Sequence, residues 1–367
     1  MTTVCVIVVN WNGESLLREC LASVAAQRGC GEVETLVVDN GSTDGSLALL
    51  AREWPAVRVL RNPVNNYAGA NNLGVQASAA GLILLLNSDA RLEQDCLAQM
   101  VAALERDPGV AGVMPKILFP DGRLYTTGVV ETGELYWLDR DHAESDLAQR
   151  DEPEDLFALS GCCALYRKAA WNAVGGLDED FHMYYEDVEF SLRLRERGYR
   201  LRYQPDARVL HLGHASIDQL GEGAKDPFGE RNRLLVLARH YRSRFARLCV
   251  RSPWFQAAPP AEVRWLVDRC AIRLSGSRAD ALLDLLMGLR DEARVQVGEI
   301  EGRYGAHANL PKILAERESW IAMLLREVAR LRIWRLPSKR LKSGEKAFLE
   351  RHEAEGRKSA QDRGGLA

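Results

Sequence analysis

Four polar clusters interrupt apolar stretches of the chain, and their residue types could do chemistry. In Val37-Val38-Asp39-Asn40-Gly41-Ser42 a carboxylate ends an apolar run and is followed by a glycine turn. A carboxylate at that place can accept a hydrogen bond from the imide N–H of a pyrimidine base, and a plain turn cap is the alternative use. Asp44 and Ser46, just beyond, suit helix capping. In Leu84-Leu85-Leu86-Asn87-Ser88-Asp89-Ala90 a buried-looking run delivers an amide and a carboxylate to its end. A nucleoside diphosphate needs its charge neutralised, and a divalent cation bridging the phosphates to an oxygen ligand does this. Asp89 fits that role, against the blander reading of an Asp-containing turn.

The third cluster, Asp178 to Phe190, is acidic but interleaved with Phe181, Tyr184, Tyr185 and Val188, unlike a plain solvated charge run. A helix starting near Asp187 places that carboxylate by the helix amide end, an arrangement expected to keep it ionised and able to act as a general base for a hydroxyl. Glu186 is the neighbouring alternative. In the fourth, Val209-Leu210-His211-Leu212-Gly213-His214, His211 closes an apolar run before a glycine that permits close approach. His211 is a candidate ligand, and His214 reads as an ordinary surface or packed residue.

The elements that must hold these clusters follow from periodicity. Val4-Val9, Glu34-Val38, Val57-Leu60 and Leu82-Leu86 read as strands, alternating with helical patterns over Glu14-Gln27, Ser46-Glu53 and Asn71-Ala79. This βαβ rhythm predicts a parallel sheet, whose functional loops lie at the carboxyl ends of the strands. Asn10-Trp11-Asn12-Gly13, Asp39-Ser42 and Asn87-Asp89 are therefore expected to converge on one crevice. Val110-Phe119 reads as a strand leading into a hairpin at Asp121-Gly122, Phe157-Tyr166 as a strand, and Lys168-Val174 as a short helix ended by Gly175-Gly176. Acidic residues 133–155 read as a mobile loop. From about Gly229 long amphipathic helical patterns take over, without a fixed repeat. The expected organisation is a catalytic domain over 1–240 and a helical region over 241–367, its last residues frayed.

With 367 residues, 47% hydrophobic and 27% charged, the chain can bury a sizeable core, and its formal charge of -3 gives no footprint of a nucleic-acid binder. The eight cysteines form no CxxC pair and sit mostly in apolar patterns, as reduced core residues would. Val4-Val9 lacks the basic flank and cleavage site of a signal peptide, and Gly81-Leu86 is too short to span a bilayer. A cytoplasmic location is the expectation.

In this order and spacing the motifs resemble family 2 glycosyltransferases of the GT-A fold, in the rhamnosyltransferase-like branch. The residues that carry the resemblance are Val8 to Gly13, Val37 to Asp44, Asn62 with Asn71-Asn72-Leu73-Gly74, Leu85 to Asp89, Gly161, Gly175 to Asp178, Tyr185 to Glu189, and His211 with Arg231-Asn232, spanning about Thr3 to Tyr241. The resemblance implies an α/β fold of the GT-A nucleotide-diphospho-sugar transferase type, a Rossmann-like mixed sheet, followed by the all-helical region. It implies that Asn10, Asn12, Asp39, Asn71, Asn87 and Asp89 bind the nucleotide sugar, with Asp39 on a uracil or thymine ring. Asp89 and His211 would hold Mg²⁺ or Mn²⁺, and Asp187, with Glu186 beside it, would be the catalytic base. Many relatives carry two or three carboxylates where this chain has Asn87-Ser88-Asp89, which leaves a less negative site.

The activity so implied is inverting transfer of rhamnose or another hexose from a UDP- or dTDP-sugar to the hydroxyl of a glycan, lipid-linked or small-molecule acceptor. Two other readings compete. A sugar-nucleotide pyrophosphorylase needs a glycine-rich basic loop that Asn10-Trp11-Asn12-Gly13 lacks, and a catalytically silent nucleotide-sugar-binding scaffold would have no need of Asp187 and His211. Residues 133–155 would order over the acceptor as a lid. The basic stretch 324–342 sets arginines beside Leu, Ile and Trp334 at helical spacing. Packing on the catalytic domain or in a homodimer is one use of such a helix, and peripheral contact with the inner face of the cytoplasmic membrane is the other.

Overall fold

The computed structural model describes residues 3–132, 135–213, 226–241 and 252–270, with isolated positions between 245 and 291. The basic stretch 324–342 and His214 lie outside the described residues. Two compact units are present, and the second begins at Asp226.

The first unit is built on a ten-stranded mixed sheet. Its first half is the expected βαβ series: β1 (Thr3–Asn10), α1 (Glu14–Ala25), β2 (Glu32–Asp39), α2 (Ser46–Glu53), β3 (Arg58–Arg61), α3 (Tyr67–Ala77) and β4 (Leu82–Asn87). β1 pairs in parallel with both β2 and β4, and β2 with β3. Val4 to Val8 and Ile83 to Leu86 are at most 2% exposed because helices cover both faces, which is why these strands read as continuous apolar runs. On α1 the buried positions Leu17, Cys20, Leu21 and Val24 recur at helical spacing. α3 starts before the expected Asn71, because Asn66 caps it by accepting from the Gly69 N–H at 2.9 Å. Gly74 lets this helix approach β1 closely: a Cβ there would lie 2.7 Å from Ile7 Cγ2.

The second half is mixed. After β5 (Ala90–Leu92) and α4 (Cys96–Arg106) come β6 (Val110–Leu118), β7 (Leu124–Thr126), β8 (Val129–Glu131), β9 (Trp137–Asp139), β10 (Glu154–Asp155), β11 (Cys163–Arg167), α5 (Lys168–Val174), α6 (Glu186–Glu196) and β12 (Arg200–His211). β11 runs antiparallel to β4 on one side and to β6 on the other, and β12 lies parallel to β6, so β6 and β12 keep the direction of β4. The main sheet order is β10-β12-β6-β11-β4-β1-β2-β3.

Residues 135–155 depart from the expected mobile loop. β9 pairs with β8 in a hairpin and β10 adds to the sheet edge on β12. The acids are there to be paired: Lys116, fully buried on β6, donates to Asp146 at 3.0 Å and Asp151 at 2.5 Å. Arg140 donates to Glu154 at 2.7 Å and Arg150 to Asp141 at 2.9 Å. An acidic run looks solvated in one dimension, whereas here it is paired by Lys116 from β6 and by two arginines of its own segment. The strand expected over Phe157-Tyr166 is shorter and starts at Cys163.

The second unit contains α7 (Asp226–His240), α8 (Pro253–Ala257) and α9 (Pro260–Cys270). Leu234 to Ala238 of α7 and Val263, Leu266 and Val267 of α9 are buried. The Trp265 ring lies between the guanidinium groups of Arg231 and Arg269, 4.4 and 4.3 Å from its centroid. Among the described residues seven cysteines, from Cys5 to Cys249, are buried and take part in no disulfide. Among the described residues no helix is long and apolar enough to cross a membrane.

Candidate active site

Strand register brings the predicted loops together. Asn10 stands opposite Asp39, and Val9 opposite Asn87, so three chain segments end on one edge of the sheet. Asn10 is fully buried; its Nδ2 donates to Ser42 Oγ at 3.1 Å and more weakly to Asp39 Oδ1 at 3.4 Å. The Ser42 N–H donates to Asp39 Oδ2 at 3.3 Å. The Asp39 carboxylate, 4% exposed, is thus oriented by the two loops that flank it. Asn12, at φ +48°, joins the same loops: its N–H donates to Ser42 Oγ at 3.0 Å and its Oδ1 accepts from the Thr43 N–H at 2.8 Å. Asp44 caps α2 through the Ser46 N–H and receives the Glu14 N–H, both at 3.0 Å, the structural role its position suggested.

Asn71 is 1% exposed, and its Nδ2 donates to the Tyr67 carbonyl at 3.0 Å. Its Oδ1, like that of Asn10, has no hydrogen-bond partner among the described residues. Buried acceptors left unmatched cost free energy unless a ligand or water meets them, so both amides are suited to a polar ligand. Asn72 is used structurally, exchanging hydrogen bonds with the Leu177 N–H and carbonyl at 2.9 and 2.8 Å.

Asp89 and His211 meet because β5 runs antiparallel to the end of β12, setting His211 opposite Ala90. His211 Nε2 lies 3.0 Å from Asp89 Oδ1, and both residues are buried. Burial disfavours the imidazolium, yet the Cys162 sulfur and the Asp89 carboxylate raise the His211 pKa to about 10. Burial also pushes the Cys162 thiol up, so Asp89 supplies the acting charge at neutral pH. His211 Nδ1 is buried without a hydrogen-bond partner among the described residues. A carboxylate 3.0 Å from a buried imidazole nitrogen fits a divalent cation, which would replace the proton between Asp89 Oδ1 and His211 Nε2. Among the described residues no cluster of three or more His, Cys, Asp or Glu side chains is present, so such an ion needs further oxygens from a bound ligand.

Asp187 opens α6. Its Oδ2 accepts from the Gly161 N–H at 2.8 Å and its Oδ1 from the Val188 N–H at 2.7 Å. These bonds favour the ionised form, as the helix start predicted, but burial outweighs them and the pKa is raised to about 6. Glu186 is 5% exposed with Oε2 unmatched, and burial with the Asp187 charge alongside lifts its carboxyl well above the usual range. Burial and the neighbouring charge favour the neutral form of Glu186 more strongly than that of Asp187, which leaves Asp187 as the member suited to accepting a proton. The approach to this helix holds His182, Tyr184 and Tyr185 at φ +60°, +67° and +66°, a conformation that non-glycine residues adopt at a cost.

Asn87 is delivered by β4 beside this pair. Its N–H donates to the Cys162 carbonyl at 2.9 Å, one residue beyond Gly161. Several neighbours of the site had no sequence signal. Tyr125 sets its ring edge-on to His211 with centroids 4.4 Å apart, and it also meets His142 at 5.3 Å. Asp139, on β9, is raised by burial despite Thr126, His142 and His211, and its charge is felt at Asp187. The Tyr67 hydroxyl lies 3.0 Å from Asn87 Oδ1 and 2.8 Å from the Gly161 carbonyl. All three looked like unremarked members of apolar or acidic stretches.

A parallel half-sheet whose strand ends gather Asp39, Asn87 and Asp89, continued by a mixed half whose strand β12 brings His211 and whose helix α6 brings Asp187, is the architecture of a GT-A glycosyltransferase. Residues 5–175 match the family Glycosyl transferase family 2 and form a domain of that family. The chain is 29% identical over 326 residues, covering 82% of it and 98% of the relative, to an N-acetylglucosaminyl-diphospho-decaprenol L-rhamnosyltransferase of Mycobacterium tuberculosis. It is 27% identical over 220 residues to an N-acetylglucosaminyltransferase of Rhizobium meliloti, covering 56% of this chain and 50% of that one. Among solved structures, GalNAc-T7 with UDP, GalNAc and Mn2+ shares the fold at a TM-score of 0.54 and 18% identity, over 74% of this chain and 54% of that one.

Proposed function

We propose that this glycosyltransferase moves a sugar, rhamnose or another hexose, from a UDP- or dTDP-linked donor to an acceptor hydroxyl with inversion, using Asp187 as general base. One observation carries the reading: Asp187, with a pKa raised to about 6, hangs from the Gly161 N–H at 2.8 Å, two residues before the strand that pairs with β4 and its terminal Asn87. The base thus stands beside the loops suited to the donor. Asp187 takes the acceptor O–H proton while that oxygen forms its bond to the anomeric carbon. The bond from the anomeric carbon to the diphosphate breaks, and the nucleoside diphosphate leaves with the electron pair. Asp39 accepts from the base of the nucleotide, and Asn10, Asn12, Asn71 and Asn87 line the donor site. Asp89 and His211 would hold Mg²⁺ or Mn²⁺, which supplies electrostatic stabilisation of the leaving diphosphate.

A lipid-linked acceptor is the form favoured by the likeness to the mycobacterial rhamnosyltransferase, whose name specifies a sugar-diphospho-decaprenol. Such an acceptor places the enzyme at the cytoplasmic face of a membrane. The test is a panel of UDP-, dTDP- and GDP-linked sugars with and without Mg²⁺ or Mn²⁺, read by thermal stabilisation and by release of nucleoside diphosphate. Metal-dependent stabilisation by a UDP- or dTDP-sugar, and release accelerated by a prenyl-diphospho-sugar, are expected. Stabilisation by none of the donors overturns the reading.

A further inference from the structure

The Tyr67 hydroxyl has one proton and two oxygen neighbours, and the Asn71 side-chain amide also interacts with it. The Gly161 carbonyl lies 2.8 Å from it and Asn87 Oδ1 lies 3.0 Å from it. Both are acceptors, and a hydroxyl donates to one of them at full strength. The Gly161 carbonyl is main chain and cannot exchange its oxygen for a donor. The Asn87 side chain can, because a half-turn of its amide swaps oxygen for nitrogen at the same place. Its main chain is held independently, by the N–H bond to Cys162 and by the Cys20 thiol, which donates to the Asn87 carbonyl at 3.6 Å. Asn87 is half-buried, so an oxygen turned outward reaches the cleft rather than a dry interior.

We infer that Tyr67 is a positioning residue for transfer: it donates its proton to the Gly161 carbonyl, accepts from the Asn87 amide N–H, and so turns the Asn87 carbonyl oxygen toward the donor. Every member of this chain of bonds is then satisfied. Asn87 presents an oxygen at the place where the resembled family often has a carboxylate. Gly161 is pinned on both sides, its carbonyl by Tyr67 and its N–H by Asp187. The tyrosine is itself well placed: Asn66 caps the helix it begins, and the next N–H, of Ala68, donates to the His182 carbonyl at 3.1 Å. Burial and the nearby Glu186 hold its hydroxyl well above the ordinary phenol range, so it keeps its proton at working pH.

The inference rests on the reading of Asp187 as the base, and the experiment separates the two. Tyr67→Phe, Asn87→Asp, the double variant and Asp187→Asn are compared in one assay of kcat, donor KM and kcat against pH, with melting curves alongside. The charged and titratable groups facing Asp187 are Glu186 on its own helix, Asp139 from β9, Tyr166 from β11 and Tyr67 from α3. Tyr67→Phe is expected to fold normally, keep donor KM within about twofold and lower kcat about tenfold, the size of one lost hydrogen bond felt in the transition state. The acid limb of its profile is expected to move upward, because a looser Gly161 holds the ionised Asp187 less well. Asn87→Asp cannot donate to Tyr67 and claims its proton, so it is expected to lower kcat in the presence of Tyr67 and to add little once Tyr67→Phe is in place. Unchanged kcat in Tyr67→Phe, an unmoved acid limb, or additive effects overturn the inference while an inactive Asp187→Asn leaves the base assignment standing. An active Asp187→Asn overturns the base assignment itself.

Discussion

Asp89 Oδ1 and His211 Nε2 lie 3.0 Å apart although 122 residues separate them in the chain. A strand of twelve residues, β12, carries the histidine along the sheet to the start of β5, where it pairs with Ala90. Asp89→Ala and His211→Ala are each expected to weaken Mn²⁺-dependent binding of a nucleoside diphosphate about ten- to a hundredfold. Their combined effect should fall short of the product, because both serve one ion. Titration calorimetry with and without Mn²⁺ reads this, and equal affinity in the presence of chelator would remove the metal from the site.

Exchange of the base for its amide separates chemistry from binding. Asp187→Asn is expected to lower kcat at least about a hundredfold, while donor affinity stays within about threefold. Glu186→Gln resembles the neutral form that burial favours at this position and should keep activity within about tenfold. The opposite ranking would assign the base to Glu186.

Wild-type activity should rise with pH through about 6, where Asp187 ionises in the folded protein. The same raised pKa makes a stability prediction. The folded state holds this proton more tightly than the unfolded chain, so the penalty is absent below about 3.8 and complete above about 6. Asp187→Asn should therefore melt higher than the wild type at pH 8, by about 1–2 kcal/mol after allowing for the partial exposure of the side chain, and show no gain near pH 4. Denaturant titrations at the two pH values check the sign.

Lys116 anchors residues 141–151 from beneath, fully buried and paired with Asp146 and Asp151. Lys116→Met fills the same space without the charge and is expected to release this segment rather than unfold the sheet. Loss of a partly buried pair is worth about 1–3 kcal/mol, less than for a fully buried one, because Asp151 is largely exposed. Limited trypsin digestion should cut faster after Arg150, and an unchanged rate would show that the clamp does not hold the segment. If the segment acts as a lid, donor and acceptor together should slow the same cut in the wild type.

Much of this protein was legible in one dimension. The parallel half announced itself because β1 and β4 are buried on both faces and must be apolar throughout, and because Asp39 and Asn87 break those runs where strand ends meet solvent. The helix at Lys168–Val174 and its glycine stop were local events, set by the left-handed backbone of Gly175 and Gly176. Local sequence could not decide the charge states. The helix start argued only that Asp187 stays ionised, and three-dimensional burial, with Asp139 nearby, moved the carboxyl to about 6. Nor could sequence show that residues 135–155 are held by Lys116, Arg140 and Arg150, since an ion pair depends on which chains pass within a few ångströms. Tyr67 shows the same limit: one hydroxyl in a stretch of small residues acquires its place between Asn87 and Gly161 only when α3, β4 and the approach to β11 come together. Hydrophobic periodicity is a local property of the chain, whereas hydrogen bonds and pKa values belong to the distances that folding creates.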